Sequence, residues 1–271
     1  MGDNMNEIFI KGIKLDHILS ECENPYVYCK YAILNLISST KNKNKILEDL
    51  VRKVNSRFET VRSLIIELLN LIKDSLEKQY EKVIEVTLIT KSRLIVGSNN
   101  DSTALLFETG TMLHPVLGIP YIPGSSIKGV IRSYLESLSK SELKEKLDVE
   151  VKSVDDILGK RGVHASYLLV TDAYPISTNK YNRLIEPEVT TPIYKDNIEE
   201  HKAKPVPIIY PVIAPGVKFR FYMVATKRAV NDTLDKLTWF NSLAKLMIVI
   251  TREGIGGKTM LGYGSMEVIS I

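Results

Sequence analysis

Cysteine is almost missing from this chain: Cys22 and Cys29 are the only two among 271 residues. Two thiols cannot build a disulfide framework, and their spacing fits no metal-binding pattern. That predicts a reducing, cytoplasmic setting. Histidine is sparse as well. His17, His114, His164 and His201 are scattered without the short spacings of a zinc site, so neither a metal nor a cofactor is expected. Long apolar runs are absent. The most apolar stretch, LIIELLNLI at 64–72, is broken by Glu67 and Asn70 and is too short to span a bilayer. NEIFIKGIKLDHI near the start lacks the sustained apolar run of a signal peptide, and no membrane partner is expected. A strong charge bias is absent too. The 36 Lys and Arg against 32 Asp and Glu leave a net charge of only +4, which does not by itself call for a polyanion. No internal repeat or low-complexity tract is found.

What is present supports an ordinary globular core. At 44% hydrophobic and 25% charged residues, the chain has room for one large domain or two small ones. The first ~80 residues read as helical. YCKYAILNLISS (28–39) is one helix, and a polar KNKNK loop (41–45) leads into a second from about Ile46 to Gln79. In that helix Leu47, Leu50, Val51, Val54, Phe58, Val61, Leu64, Ile65, Leu68 and Ile72 recur at three- and four-residue steps, which marks one buried face. Its mixed-charge face suits solvent or another protein.

The character changes at Val83. VIEVTLITKSRLIVGS (83–98) alternates and is β-branched, a strand with a bend at Lys91 and Ser92. A long Gly-, Pro-, Asn- and Ser-rich connection follows over 99–126, of a length usually reserved for functional loops. Ser125 or Ser126 then caps a helix whose stripe is Ile127, Val130, Ile131, Tyr134, Leu135 and Leu138. Lys128 and Arg132 share its exposed face near the N-terminus, where a helix prefers negative charge. Two cations there make sense if an anion docks at the helix start. SYLLVTDAYPI (166–176) reads as one strand ending in a turn, 177–205 as a projecting hairpin arm, and 205–226 as two strands. Asn231 or Asp232 caps a last helix running to about Ile250, with Leu234, Leu237, Phe240, Leu243, Leu246 and Met247 on its apolar side. Residues 1–82 are thus a helical extension and 83–271 a core. Without the arm, the core order is β-α-β-β-α-β: an α+β, ferredoxin-like or RNA-recognition arrangement.

Between the last helix and a closing strand lies REGIGGKTMLGYGSM (252–266). GKT is how a Walker A loop ends, but that pattern needs a glycine where Arg252 stands and a helix after Lys258. Gly262, Tyr263 and Gly264 follow instead, which argues against a P-loop of that type and leaves a nucleotide-binding enzyme, with ATP binding lost in Lys258→Ala, as a third reading. Gly254, Gly256, Gly257, Gly262 and Gly264 crowd into eleven residues. A plain turn needs one or two glycines; a loop that lays backbone N–H groups against phosphates can use all five, with Lys258 adding charge.

Four segments together resemble a known family. Gly254-Ile255-Gly256 and Gly262-Tyr263-Gly264, five residues apart, fit the paired glycine–apolar–glycine pattern of RAMP proteins of CRISPR systems. LHPVLGIPYIPGSSIKGVIRSYLE (113–136) is similar to a segment of their backbone subunits, and VTDAYP (170–175) to their second strand. VTTPIY (189–194), with the strands after it, looks most like the sixth subunit of Cmr, type III-B, complexes, although Ile193 stands where that pattern has a histidine. The likeness covers roughly 83–271. It implies an RNA-binding subunit with no chemistry of its own, stacked near the 3′ end of a guide RNA. Its partners would be guide and paired target RNA, a backbone RAMP subunit, a small helical subunit and a head subunit at the guide's 3′ end.

The resemblance also implies a thumb-like hairpin that wedges between nucleotides; the arm is the candidate, with Leu184 and Ile185 as the apolar wedge. The RNA backbone would run against Ser125, Ser126, Lys128 and Arg132, with the glycine loop and Lys258 covering it, since in a ferredoxin-like fold both can lie at one sheet edge. Lys91 and Arg93 on the first strand are further candidates. The alternative is a metal-independent endoribonuclease that processes repeat RNA, with His114 as general acid or base. Asp101 sits where target-cutting relatives carry an aspartate, but NNDST is not distinctive and no catalytic role is assigned to it.

Overall fold

The structure is a computed structural model. It describes residues 9–10, 13–38, 43–97, 102–107, 109–148, 153–160, 162–163, 165–191, 207–226 and 238–271. Asp101, His164, Ile193, His201, Asn231, Asp232, Leu234, Leu237 and the arm from 192 to 206 lie outside them. In chain order the elements are β1 (Phe9–Ile10), β2 (Ile13–Lys14), α1 (Leu15–Glu21), α2 (Pro25–Ser38), α3 (Lys43–Gln79) and β3 (Val83–Thr90). There follow α4 (Ser102–Phe107), α5 (Gly124–Ser137), α6 (Lys140–Leu147), α7 (Asp155–Leu158), β4 (Leu168–Val170) and β5 (Tyr174–Ser177). The last are β6 (Ile185–Thr190), β7 (Ile208–Ile213), β8 (Lys218–Ala225), α8 (Thr238–Glu253) and β9 (Met266–Ser270).

Two compact units emerge, and neither is a continuous stretch of chain. One comprises Met1–Val61, Ile95–Pro120 and Tyr181–Ala214; the other Arg62–Leu94, Tyr121–Lys180 and Pro215–Ile271. In the second, an antiparallel sheet has the order β4-β8-β3-β9, with β5 also pairing β8. Counted along the core that is second, third, first, fourth, the ferredoxin-like order the sequence predicts. Phe219, Phe221, Tyr222, Met223, Val224 and Ala225 of β8 are all buried, so this central strand is covered on both faces and reads as a continuous apolar run. From α5, Ile127, Ile131 and Leu135 are buried; from α8, Trp239, Phe240, Leu243, Met247 and Ile250. Each such side chain contributes about 1.5–3 kcal/mol on burial, more than the few tenths that separate the helix propensities of its residues.

The first unit holds α1, α2, α4, the first half of α3 and the β6–β7 hairpin, whose register runs from Ile185 opposite Ile213 to Thr190 opposite Ile208. Asn55 of α3 fastens the hairpin. Its Oδ1 accepts from the N–H of Leu184 (2.8 Å) and Ile185 (3.1 Å), and its Nδ2 donates to the Ile185 carbonyl (3.2 Å).

Four expectations change. The buried stripe of α3 is Leu47, Leu50, Val54, Phe58, Val61, Ile65 and Leu69, whereas Leu64 is 52% exposed; steps of 3, 4, 4, 3, 4, 4 track the helical repeat better than one through Leu64 and Leu68. The single strand at 166–176 is two, because Thr171–Ala173 leaves the ladder while the Thr171 N–H still reaches the Tyr222 carbonyl (3.0 Å). Neither Ser125 nor Ser126 caps α5. Pro123 occupies the N-cap, with φ −57° and ψ 136°, and offers no side-chain cap. Finally, Leu184 and Ile185 are 0% and 1% exposed. Packed in the interior of their unit, they are not a solvent-facing wedge.

Candidate nucleic-acid interface

Apart from Leu184 and Ile185, which belong to the first unit, the expected site residues fall into two clusters, both in the second unit. The first surrounds the glycine loop. After α8 the chain turns through Gly254 (φ +108°), Gly256 (+93°), Lys258 (+58°), Gly262 (+83°) and Gly264 (+77°). A side chain on Gly264 would meet the Ile255 carbonyl oxygen at 2.1 Å, and one on Gly254 would meet Thr259 Cγ2 at 2.8 Å. The loop is closed by Ile255 N–H to the Gly264 carbonyl (2.8 Å) and pinned to the segment just after β3 by Gly264 N–H to the Arg93 carbonyl (2.7 Å). A short 3₁₀ turn, Thr259–Leu261, is held by Leu261 N–H to Lys258 (2.9 Å) and Gly262 N–H to Thr259 (2.9 Å). Most of the glycines therefore have a local conformational reason. Among these backbone hydrogen bonds, however, the N–H groups of Gly256 and Gly257 take no part, and Gly256 is exposed. Successive N–H groups in such a turn form a concavity that suits an anion. Lys91 and Arg93, both exposed, lie beside the loop: Lys91 N–H donates to the Ser265 carbonyl at 2.8 Å. Lys91 Nζ also pairs with Glu267 at 2.8 Å and holds that carboxyl below its usual range.

The second cluster surrounds the start of α5. Gly124 is pressed against the chain, its missing side chain only 2.3 Å from the Val170 carbonyl. Its N–H donates to Asp172 Oδ1 at 2.8 Å. The negative group expected at this helix start is thus supplied by the protein itself. Arg132 is likewise engaged, at 2.8 Å from Asp155, 3.0 Å from Glu136 and 2.7 Å from the Gly159 carbonyl. Hydrogen bonds to those two carboxylates stabilise its charge. These contacts correct the expectation that both cations await an external anion.

Lys128 differs. Its Nζ donates only weakly, at 3.3 Å, to the Leu168 carbonyl, and burial and then Arg132 lower its pKa. It lines an open depression of about 470 Å³ with Leu158, Gly159, Lys160, Gly162, Val163, Ala165 and Ser166. Lys160, which sequence reading did not single out, is exposed there; a lone lysine in a loop carries no periodic signal.

The two clusters do not share a sheet edge. The helix start abuts β4 and β5, as the Ile122–Ala173 bridge shows, whereas the glycine loop feeds β9 at the opposite edge. Three strand spacings, ~14 Å, separate those edges. One phosphate cannot meet both clusters; a length of backbone running over the sheet can.

His114 sits in the first unit. Its Nδ1 accepts from the N–H of Val116 (3.3 Å) and Leu117 (3.2 Å) in a turn closed by Gly118 N–H to the His114 carbonyl (2.8 Å). That is a loop-ordering role, with one ring nitrogen committed. Among the described residues no group of three or more His, Cys, Asp or Glu is placed to hold a metal ion, and no helix is long and apolar enough to cross a membrane. Cys22 and Cys29 form no disulfide.

Comparisons with known proteins agree with this architecture. The chain is 28% identical over 251 residues to the CRISPR system CMR subunit Cmr6 of Saccharolobus solfataricus, spanning 89% of this chain and 80% of that one. Against the Cmr6 subunit of Pyrococcus furiosus it is 24% identical over 233 residues, 65% of each chain. Its fold is similar to a chain in the cryo-EM structure of the type III-B Cmr-beta bound to cognate target RNA, with a TM-score of 0.68, 24% identity and 94% of each chain covered. The RAMP superfamily model matches residues 87–267, from within β3 to the start of β9 and including the whole glycine loop. The chain belongs to the RAMP superfamily.

Proposed function

We propose that this chain is an RNA-binding subunit, without chemistry of its own, of a type III-B CRISPR effector ribonucleoprotein. In it the subunit holds guide RNA near the 3′ end, beside a backbone RAMP subunit, a small helical subunit and a head subunit, with target RNA paired to the guide. The kinship with Cmr6 subunits supports the assembly. The observation that carries the binding role is the glycine loop, whose Gly256 and Gly257 N–H groups are left out of its own hydrogen bonding beside Lys258. Such donors position a phosphate backbone without reading sequence, which suits a carrier whose guide does the reading by base pairing. Gly254, Gly262 and Gly264 shape the loop. Lys91, Arg93 and Lys258 supply charge beside it, and Ser125, Ser126 and Lys128 line the opposite edge of the same path. Arg132, neutralised by Glu136 and Asp155, is left out of the contact.

The test is binding and cleavage of a labelled single-stranded RNA by the purified chain, with Lys128→Ala/Lys258→Ala beside it. Each lost phosphate contact lowers the salt slope by roughly 0.7 for a single strand. Binding without cleavage, and a slope shallower by roughly 1.4 in the double variant, is expected. An unchanged slope removes the two lysines from the interface. Cleavage that disappears in His114→Ala replaces the carrier with a processing nuclease.

A further inference from the structure

LIIELLNLI (64–72), the most apolar stretch of the chain, is the part of α3 that lies within the second unit just after the helix enters it. Seven of its nine residues are apolar, with Glu67 and Asn70 the exceptions. A helix apolar on most of its circumference belongs in a setting that covers most of it. This one is covered on one side only. Ile65 and Leu69 are fully buried, whereas Leu64 is 52% and Leu71 58% exposed, with Leu68 half-buried between them. Steps of four and three place Leu64, Leu68 and Leu71 in one line along the helix, about 10 Å long at 1.5 Å per residue. Isolated exposed leucines are ordinary. A line of three beside a satisfied core stripe is a second apolar seam. Glu67 and Asp74, both exposed and seven residues apart, run along the side of the seam away from the core. Among the described residues neither carboxylate is ion-paired, unlike Glu85, which takes Lys73 at 3.4 Å.

We infer that the Leu64–Leu68–Leu71 seam docks an amphipathic helix of a neighbouring protein subunit. That helix carries apolar residues at three- and four-residue steps, and Lys or Arg along the edge that meets Glu67 and Asp74. A raised line of leucines at these steps packs into the groove between the ridges of another helix. The acidic row selects the charge of the partner. It also disfavours two other occupants. The phosphates of RNA would be repelled by both carboxylates. A second copy of this chain, packed antiparallel through the same seam, would set one acidic row against the other. The inference rests on the reading of the chain as a subunit of a larger assembly, and it uses a different element from the glycine loop.

The experiment adds the purified full chain to a ribonucleoprotein reconstituted without it and measures the affinity. Wild type is compared with Leu64→Ser/Leu71→Ser, with Leu64→Met/Leu71→Met and with Glu67→Lys/Asp74→Lys, all checked for melting temperature. The wild type and the methionine variant are expected to join alike. The serine variant is expected to bind about tenfold more weakly or worse, as on removal of an apolar anchor. The lysine variant is expected to bind more weakly at low salt and to approach the wild type at high salt, where charge is screened. In the assembled particle, benzoylphenylalanine in place of Leu71 is expected to crosslink to a partner helix with the stated apolar and basic pattern, read by mass spectrometry.

A wild type that does not join the assembly overturns the subunit reading and the docking seam with it. A wild type that joins beside an equally tight serine variant overturns the seam alone. So does a lysine variant that matches the wild type at low salt. Crosslinks to RNA, to a second copy, to another segment of this chain or to a partner segment without that pattern also overturn it, as does the absence of any crosslink. Should the serine variant melt lower than the wild type, the lysine variant and the crosslink decide.

Discussion

Replacing Gly264 with alanine should unfold the glycine loop before anything else. At φ +77° the new side chain adopts a left-handed conformation costing about 1–2 kcal/mol. Its Cβ would also stand 2.1 Å from the Ile255 carbonyl oxygen, a backbone atom that cannot swing aside. Relief means separating the two strands of the loop. That breaks the 2.8 Å Ile255–Gly264 bond and the 2.7 Å Gly264–Arg93 bond, each worth about 1 kcal/mol net. The expected loss is about 3–4 kcal/mol for the unit carrying the loop. Gly262→Ala is the matched control. Gly262 has a similar φ of +83° but open space around its missing side chain, so only the conformational cost of about 1–2 kcal/mol applies. Urea unfolding of both variants, followed by fluorescence of Trp239, separates the two terms. Equal losses at the two positions, or a loss at Gly264 under about 1 kcal/mol, would refute the steric reasoning and with it the view that loop geometry requires these glycines.

Asn55→Ala removes the acceptor shared by the Leu184 and Ile185 N–H groups, leaving two strand-entry donors unmet, and should cost about 2–3 kcal/mol in chemical denaturation. His114→Asn, which keeps an acceptor near Nδ1, should unfold like the wild type, while His114→Ala loses about 1–2 kcal/mol, and on the carrier reading both should bind RNA like the wild type. The Lys128 ammonium is disfavoured by burial and by Arg132, so its proton leaves below the ordinary lysine pKa of about 10.4. Any RNA contact its ammonium makes is therefore lost as pH rises through that lowered pKa. Titrated RNA affinity should fall across that window in the wild type and be flatter in Lys128→Ala.

Much of the fold was legible because the signals were periodic. The helical repeat of α3 and the strand-like alternation read in β3 and in VKFRFYMVAT led to the β-α-β-β-α-β order, although α3 buries Leu69 rather than Leu64 and β8 is buried on both faces rather than alternating. What failed was decided by tertiary contacts. Asp172, 48 residues after Gly124 in sequence, caps α5 in place of the serines. Asp155 and Glu136 claim Arg132. Leu184 and Ile185 carry the apolar character of a wedge, but the Asn55 hydrogen bonds and the β6–β7 pairing turn them inward. Strand order, not composition, sends the helix start and the glycine loop to opposite edges. The glycine loop was readable as special because five glycines exceed what a turn needs; which of their N–H groups remain unclaimed needed coordinates.

The most direct test is photocrosslinking of guide RNA bearing photoreactive nucleotides in the assembled ribonucleoprotein, with the attached residues of this chain identified by mass spectrometry. The account expects crosslinks within 254–264, with additional ones near Lys128 from nucleotides further along the strand. Crosslinks confined to other surfaces, with the glycine loop unmodified, would contradict it.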